Sequence, residues 1–291
     1  DWDHPYFRKA FEEFQKSGLT EVETPLQVTH VGDVAFASIP GELFVDHGLR
    51  IKRESPFPWT FPIGLSGDSL GYLITEDAWN GGGYEAVPSA SGWISPEGVT
   101  SMIDKIIDML HLMRRKQILE RHFPLDIRLK NDSTYTIRPL CGTDAEALAE
   151  FYATIPDEDY FHYCPHPLDD EHAQKNASDA DSFPYYVCLI METTSGGIGA
   201  YAWHRWSRGA QKSSFGICVG REFQGIGIGR SLINSLLESA KVYGPSTIGL
   251  DVQPANAKAF KLYTSLGFQK VSENIRPNNA RDLNYQMELH L

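Results

Sequence analysis

Residues 215–233 read FGICVGREFQGIGIGRSLI, and this stretch decides the fold of the second half of the chain. A strand ends near Val219. A glycine-rich turn runs from Gln224 to Gly229, and an apolar-periodic helix follows from Gly229 to about Tyr243, with Leu232, Ile233, Leu236 and Leu237 on one face. Gly225, Gly227 and Gly229 let the backbone come close to a ligand and turn several N–H groups the same way. The positive end of the following helix dipole adds to the attraction for an anion. Such a turn serves as a pyrophosphate cradle, or it needs its glycines for packing alone. Two other phosphate-binding patterns are excluded. A Walker-type loop ends in Gly-Lys-Ser/Thr, where this chain has Arg230 and Ser231. A dinucleotide fingerprint opens the first βαβ unit of a parallel sheet, whereas this turn comes late and follows strands that read as antiparallel.

The next stretch, 250–268, reads LDVQPANAKAFKLYTSLGF: a strand, a Pro-Ala-Asn turn, a helix and a Gly-Phe stop. In order, the chain carries Gln-x-x-Gly-x-Gly from Gln224, LxVxxxN from Leu250 to Asn256, and LYxxxGF from Leu262 to Phe268. That order and spacing resembles the GNAT superfamily of N-acetyltransferases, from Tyr135 to the end of the chain. The resemblance implies an α+β fold, a mixed and mostly antiparallel sheet with helices on both faces. It also implies an acyltransferase that moves an acetyl group from acetyl-CoA to a primary amine by direct attack in a ternary complex. The acceptor would be a small-molecule amine or a peptide N-terminus.

Carried over residue by residue, the resemblance gives the strand end Ile217, Cys218 and Val219 to the pantetheine arm and the thioester carbonyl, through backbone groups. Gln224, Gly225, Ile226, Gly227, Ile228, Gly229 and Arg230 would hold the pyrophosphate. Asn256 would contact the cofactor arm, or cap its helix, or do both. Tyr263 lies seven residues after Asn256, about two helical turns, and so shares its face. Its phenol would protonate the leaving thiolate, unless it is only a half-buried helix aromatic. Asp251 stands where the ribosomal-alanine branch of the superfamily has an acid. It is one methylene shorter than the Glu usual there, so as general base it would act through a water; a solvated strand carboxylate is the plain alternative. His204, in the aromatic strand Tyr201 to Trp206, is a second candidate base or else a surface strand histidine. Cys218 reads as a packed strand residue, because direct transfer needs no acyl-cysteine. The run Phe161 to His166 fits no zinc spacing and falls where the superfamily keeps its substrate loop, Pro156 to Asp181 here. No metal site is expected.

Around these motifs the second half reads as a strand at Tyr135–Arg138, a helix at Thr143–Tyr152 capped by Thr143 or Asp144, and strands at Tyr185–Glu192, Gly197–Trp206 and Ser214–Val219. A strand at Thr247–Val252, a helix at Ala255–Leu266 and a last strand at Leu283–Leu289 complete it. The first half has another rhythm. Val31–Ile39 alternates like one half-buried strand, Pro56 to Pro62 reads as a loop or an edge, and Gly81-Gly82-Gly83 is a turn. Ser95-Pro96-Glu97 opens a helix through Met102, Ile103, Ile106, Ile107, Leu110 and Met113, with about Arg121 as the outer limit of its extension. Segment 1–113, a smaller α/β segment, resembles the C-terminal part of the catalytic domain of neutral/alkaline, non-lysosomal ceramidases. Ile39-Pro-Gly-Glu42, Leu65-Ser-Gly67, Gly71-Tyr-Leu-Ile-Thr-Glu76 and Gly83-Tyr-Glu85 carry that resemblance. It would make Glu42 and Tyr72 zinc ligands, but that family's histidine ligands and nucleophile would lie before Asp1, and two oxygen ligands make no zinc site. His4, His30 and His47 read as surface or capping residues. The segment is therefore expected to be an incomplete hydrolase remnant, with a boundary in 114–133 and the transferase over 134–291. The alternative function is a zinc-dependent ceramidase-type amidase fragment with an appended acyl-CoA-binding module.

Bulk composition agrees with a packed protein: 291 residues, 42% of them apolar, allow two ordinary domains. Up to Asp132 there are 13 basic and 20 acidic residues, and afterwards 13 and 18, so neither half suits nucleic acid or an anionic membrane. Four cysteines without a CxxC pair fit a reduced, cytoplasmic setting, and no apolar run is long enough to span a membrane. A chain opening at Asp1 without Met is expected to be part of something longer.

Overall fold

The computed structural model describes residues 21–87, 94–129, 132–163, 166–275 and 283–291, with Arg8, Lys9, Glu12, Lys16 and Gly18 ahead of them. The chain divides into two compact units, Asp1–Arg114 and Arg115–Leu291.

In the first unit, β1 (Gln27–Val31) and β2 (Val34–Ser38) form an antiparallel hairpin, and β4 (Trp59–Ile63) pairs parallel with β2. The alternation over Val31–Ile39 predicts a single strand. Gly32, at φ 58°, and Asp33 instead turn the chain there, so the alternation belongs to β2 alone. Strand β4 is an edge, which accommodates Pro62. The short strands β3 (Glu42–Leu43) and β5 (Tyr72–Leu73) pair separately, and α1 (Val45–Glu54) and α2 (Glu76–Gly81) follow each in turn. Helix α3 (Pro96–His122) begins as expected, with Ser95 Oγ accepting from Gly98 N–H at 3.2 Å. Its apolar stripe Val99, Met102, Ile103, Ile106, Ile107 and Leu110 closes a core over Ala35, Ala37, Ile39 and Ile51.

The second unit is an eight-stranded sheet in the order β12-β13-β11-β10-β9-β8-β7-β6. Its strands are β6 (Leu125–Arg128), β7 (Thr134–Pro139), β8 (Tyr186–Glu192), β9 (Ile198–Arg205), β10 (Lys212–Val219), β11 (Thr247–Val252), β12 (Gln269–Ile275) and β13 (Leu283–His290). Only β10 and β11 run parallel; the other neighbours are antiparallel, as the mostly antiparallel expectation requires. Helices α4 (Ala145–Ala153), α5 (Asp157–Tyr163), α6 (Asp170–Ser182), α7 (Ile228–Val242) and α8 (Ala257–Ser265) complete the unit. The stretch expected to be a substrate loop is thus largely helical.

Two cores lie on opposite faces of this sheet. On one, Leu232, Ile233, Leu236 and Leu237 of α7 and Tyr263 of α8 pack on Leu189, Ala202, Phe215, Ile248, Leu250 and Val252. On the other, Leu148, Phe151 and Tyr152 of α4 and Ala173 of α6 pack on Cys188, Ile190, Tyr201 and Cys218. Strand β8 is covered on both faces, which is why it reads as a continuous apolar run rather than an alternation. Asp144 does sit at the N-cap of α4, but its carboxylate bonds backward rather than into that helix. It accepts two 2.8 Å hydrogen bonds from the Arg138 guanidinium and one at 2.9 Å from Cys141 N–H, which boxes the short turn Gly142–Asp144.

Candidate functional site

Pairing between the parallel strands β10 and β11 stops at Ser214 opposite Gly249. Beyond that point β10 stays bonded to β9 as far as Val219, and β11 stays bonded to β13 as far as Val252. The facing edges of 215–219 and 250–252 therefore part, leaving their backbone groups in a wedge open to a ligand. Tyr263 of α8 sits at the root of that wedge. Its ring lies edge-on to Phe215, the first residue past the last paired position, at 6.1 Å, and against Phe268 at 5.8 Å. Burial, with the Cys218 thiol as a smaller cause, pushes the Tyr263 phenol well above its ordinary range, so it remains a proton donor at neutral pH.

Val219 at the mouth of the wedge leads through the short turn Arg221–Phe223 into the glycine-rich segment. Gln224 Nε2 donates to the Val219 carbonyl at 3.1 Å and ties the segment to the strand end. Gly225 at φ 80° and Gly227 at φ 111° hold conformations that side chains with a Cβ resist, and Gly227 caps α7 without any side-chain partner. A Cβ on Gly225 would meet nothing within 4 Å, so its backbone lies open. The first turn of α7 has no preceding helical carbonyls for its N–H groups, the general basis of an anion site at a helix start. At Gly229 a Cβ would touch Leu262 of α8 at 3.5 Å, Val219 at 3.8 Å and Ile217 at 3.9 Å, so strand end, α7 and α8 converge on one point. Asn256 caps α8, its Oδ1 accepting from Ala259 N–H at 3.1 Å. That bond leaves the Nδ2 hydrogens for another acceptor. The glycine turn, the opened strand edges and the buried phenol are the groups that would meet an acyl-CoA.

The family model of the acetyltransferase (GNAT) domain matches residues 135–269. Residues 135–269 are a GNAT acetyltransferase domain. The chain is 38% identical over 58 residues to the [ribosomal protein bS18]-alanine N-acetyltransferase of Escherichia coli K12, covering 20% of this chain and 39% of that protein. It is 40% identical over the same length to the enzyme of that name from Salmonella typhimurium. The chain thus spans about two fifths, 39%, of the curated relatives it matches. Among solved structures, the GNAT domain of S. lividans PAT is 22% identical, with 57% of this chain and 96% of that one covered and a TM-score of 0.49. Mycobacterium smegmatis RimJ, in complex with CoA-disulfide, is 13% identical, covering 58% and 88%, with a TM-score of 0.47.

Within the GNAT domain the structure separates the other candidate residues. Cys218 faces away from the wedge into the core under α4 and α6, and burial pushes its thiol up to about 12, so it is no nucleophile. Arg230 is turned toward α8, donating to Ser265 Oγ at 2.6 Å. Asp251 is exposed on the sheet face opposite Leu250 and Val252. His204 is not a surface strand histidine. It is 0% exposed, neither ring nitrogen has a partner among the described residues, and the ring stacks on Trp206 at 4.7 Å. Burial drops it to about 3, which removes it as a base: it faces α7 rather than solvent or the wedge mouth. His166 closes a buried polar cluster with Tyr152, Asn176 and Tyr201, while Cys164 and Pro165 lie outside the described residues. The sequence showed the His166 run but not its partners, which come from α4, α6 and β9.

In the first unit Glu42 and Tyr72 are brought side by side on β3 and β5, and the Glu42 carboxylate, then burial, raises the Tyr72 phenol. Among the described residues no three His, Cys, Asp or Glu gather to hold a metal. His47 is buried rather than on the surface, its Nε2 meeting the Ile74 carbonyl at 3.2 Å; His30 takes a local bond to Gly32 O, and His4 lies outside the described residues. No helix among the described residues is long and apolar enough to cross a membrane.

Proposed function

We propose that the GNAT domain transfers an acetyl group from acetyl-CoA to a primary amine, by direct attack in a ternary complex. The opening between β10 and β11, with Tyr263 at its root and the Gln224–Gly229 turn at its mouth, carries this reading. When bound, the cofactor supplies an activated acetyl thioester, which the amine takes with release of coenzyme A thiol. The chain's own residues then have four tasks. The N–H groups of Gly225 to Arg230 hold the pyrophosphate at the start of α7. Backbone groups of Ile217, Cys218 and Val219 meet the arm and polarise the thioester carbonyl, and Asn256 Nδ2 adds a donor to the arm. Tyr263, kept protonated by burial, hands its proton to the sulfur as the C–S bond breaks. Asp251 takes the proton that the amine sheds, through a water.

The two relatives named for ribosomal-protein alanine acetylation favour a peptide N-terminus as acceptor, with a small amine as the other arm of the test. Calorimetric titration of acetyl-CoA into the full chain should give binding at micromolar concentration. Thiol release should follow with one member of a panel of primary amines and alanine-terminated peptides. Absence of acetyl-CoA binding would sink the reading, and binding without release would leave a sensor rather than an enzyme.

A further inference from the structure

His166, between α5 and α6, is held in one tautomer by its neighbours. Its Nδ1 lies 2.6 Å from the Pro167 carbonyl, which only accepts, so Nδ1 carries the hydrogen. Nε2 is therefore the acceptor, and two donors converge on it: the Asn176 Nδ2 amide at 3.2 Å and the Tyr201 hydroxyl at 3.3 Å. The same Asn176 amide gives its other hydrogen to the Tyr152 hydroxyl at 3.0 Å. Tyr152 and Tyr201 are 2% and 0% exposed, and Asn176 is buried, so no solvent can replace a lost partner. Neutral His166 thus fastens its stretch of chain to α4, α6 and β9 at once. On the proposed function the fastening reaches the site through Tyr201, which lies directly opposite Cys218 in the β9–β10 register.

We propose that His166 is a proton-operated positioning residue: neutral, it holds residues 166–169, at the head of α6, against β9, and protonated, it lets go. A proton on Nε2 would meet the Asn176 amide hydrogens at 3.2 Å; turning that amide over forfeits its donation to Tyr152, and rotating the Tyr201 hydroxyl to accept leaves the Asn176 clash in place. The charged groups around the ring oppose that proton. From α6, His172 stacks face to face at 5.4 Å and 1°, so two imidazolium rings would meet. From β9, Arg205 adds a second cation, itself paired with Asp179 and lying over Phe183 and Tyr186. The nearby carboxylate, Asp169 at the head of α6, is already bonded to His172 Nδ1 at 2.6 Å. Tyr152 of α4 and Tyr201 of β9 bring only neutral phenols. Burial first, then His172 and Arg205, hold His166 below its ordinary range. Release therefore belongs to mildly acidic pH. Its consequence for the amine rests on the transferase reading: acceptor KM should rise on acidification while acetyl-CoA affinity holds.

The test uses the full chain. Imidazole nitrogen NMR should show neutral His166 with its hydrogen on Nδ1. Amide exchange of the peptide covering 166–172, corrected for intrinsic rate, should lose protection about tenfold between pH 7.5 and pH 5 in the wild type, about 1.4 kcal/mol. His166→Gln, which keeps an acceptor but cannot titrate, should remain protected at both values, and His166→Phe should be unprotected at both. An Nε2–H tautomer, or a His166→Gln variant that loses protection with pH as the wild type does, overturns the proposal. Acetyl-CoA titration on the same samples keeps the two readings apart: failure to bind removes the link to acceptor KM and leaves the exchange result to stand or fall alone.

Discussion

His204 gives the sharpest quantitative expectation in the molecule. Its ring is fully buried with no hydrogen-bond partner among the described residues, and burial lowers it from 6.5 to about 3. In the unfolded chain the same imidazole titrates near its ordinary value, about 6.5. Between those two values the unfolded state holds more protons than the folded one, so stability rises with pH there and falls as the solution is acidified. Stability is unaffected by this residue above about pH 7. From pH 8 to pH 5 the loss amounts to about 2 kcal/mol, with a limiting slope of about 1.4 kcal/mol per pH unit; the full loss near pH 3 is roughly 4–5 kcal/mol. His204→Phe keeps a flat ring on Trp206 and removes the titration. Urea denaturation at pH 5, 6, 7 and 8, followed by near-ultraviolet circular dichroism, should show wild type losing stability on acidification faster than the variant, by one proton's slope below pH 6. A constant offset from altered packing does not matter, since the slope is read. Parallel pH dependences for the two proteins would refute the reasoning, and would mean that water or a partner reaches the ring.

Three further expectations concern the GNAT domain. Tyr263→Phe should lower turnover by about 10²–10³ while acetyl-CoA affinity, measured by calorimetry, stays within a few-fold; an equal loss in both would contradict the acid role. Gly227→Ala forces a side chain to φ 111° and should cost about 1–2 kcal/mol in thermal unfolding, and also weaken coenzyme A binding; unchanged affinity would move the pyrophosphate off the turn. Arg115, 1% exposed, donates to the carbonyls of Ala180, Asp181, Phe183 and Tyr186 where α6 ends and β8 begins. Arg115→Met should destabilise the second unit by about 3–5 kcal/mol in denaturant unfolding, because several buried acceptors lose their donor together; a loss under about 1 kcal/mol would show that water replaces it.

What could be read in the sequence follows a physical division. The strand-turn-helix from Phe215 and the strand-turn-helix from Leu250 are local: each is specified by neighbouring residues, through glycine conformations, apolar periodicity and an Asn cap. They emerged with correct types and nearly correct ends. Strand β6 gave no signal, since only Ile127 of its four residues is even partly buried and it is held as an edge by its pairing with β7. Helix α6 was hidden by composition, for DEHAQKNASDADS buries only Ala173, Asn176 and Ala177. His204 was misplaced because a single histidine in an alternating aromatic strand takes its environment from chain far along the sequence, here the segment just past α7, where a Cβ on Gly244 would meet the His204 ring at 3.1 Å. The opening between β10 and β11 is likewise a property of pairing and cannot be read from either strand alone.

The two faces of the sheet constrain the chemistry differently, and this narrows the base. On the α7–α8 face His204 is neutral and enclosed, which argues against it as the base. On the α4–α6 face Cys188 and Cys218 are both pushed up to about 12 by burial, so neither accepts a proton at neutral pH. The His166 Nε2 lone pair is already taken by two donors. Of the groups weighed for proton removal, Asp251 alone combines an unburied carboxylate with a position on the strand that borders the wedge. A carboxylate reached through water suits an acceptor that arrives as an ammonium ion, because the water can carry the proton off without close contact between base and nitrogen. In the proposed reaction the acid, Tyr263, lies on the enclosed α7–α8 face and the base, Asp251, on the opposite face of the sheet, so the two proton transfers would take place on different sides of it.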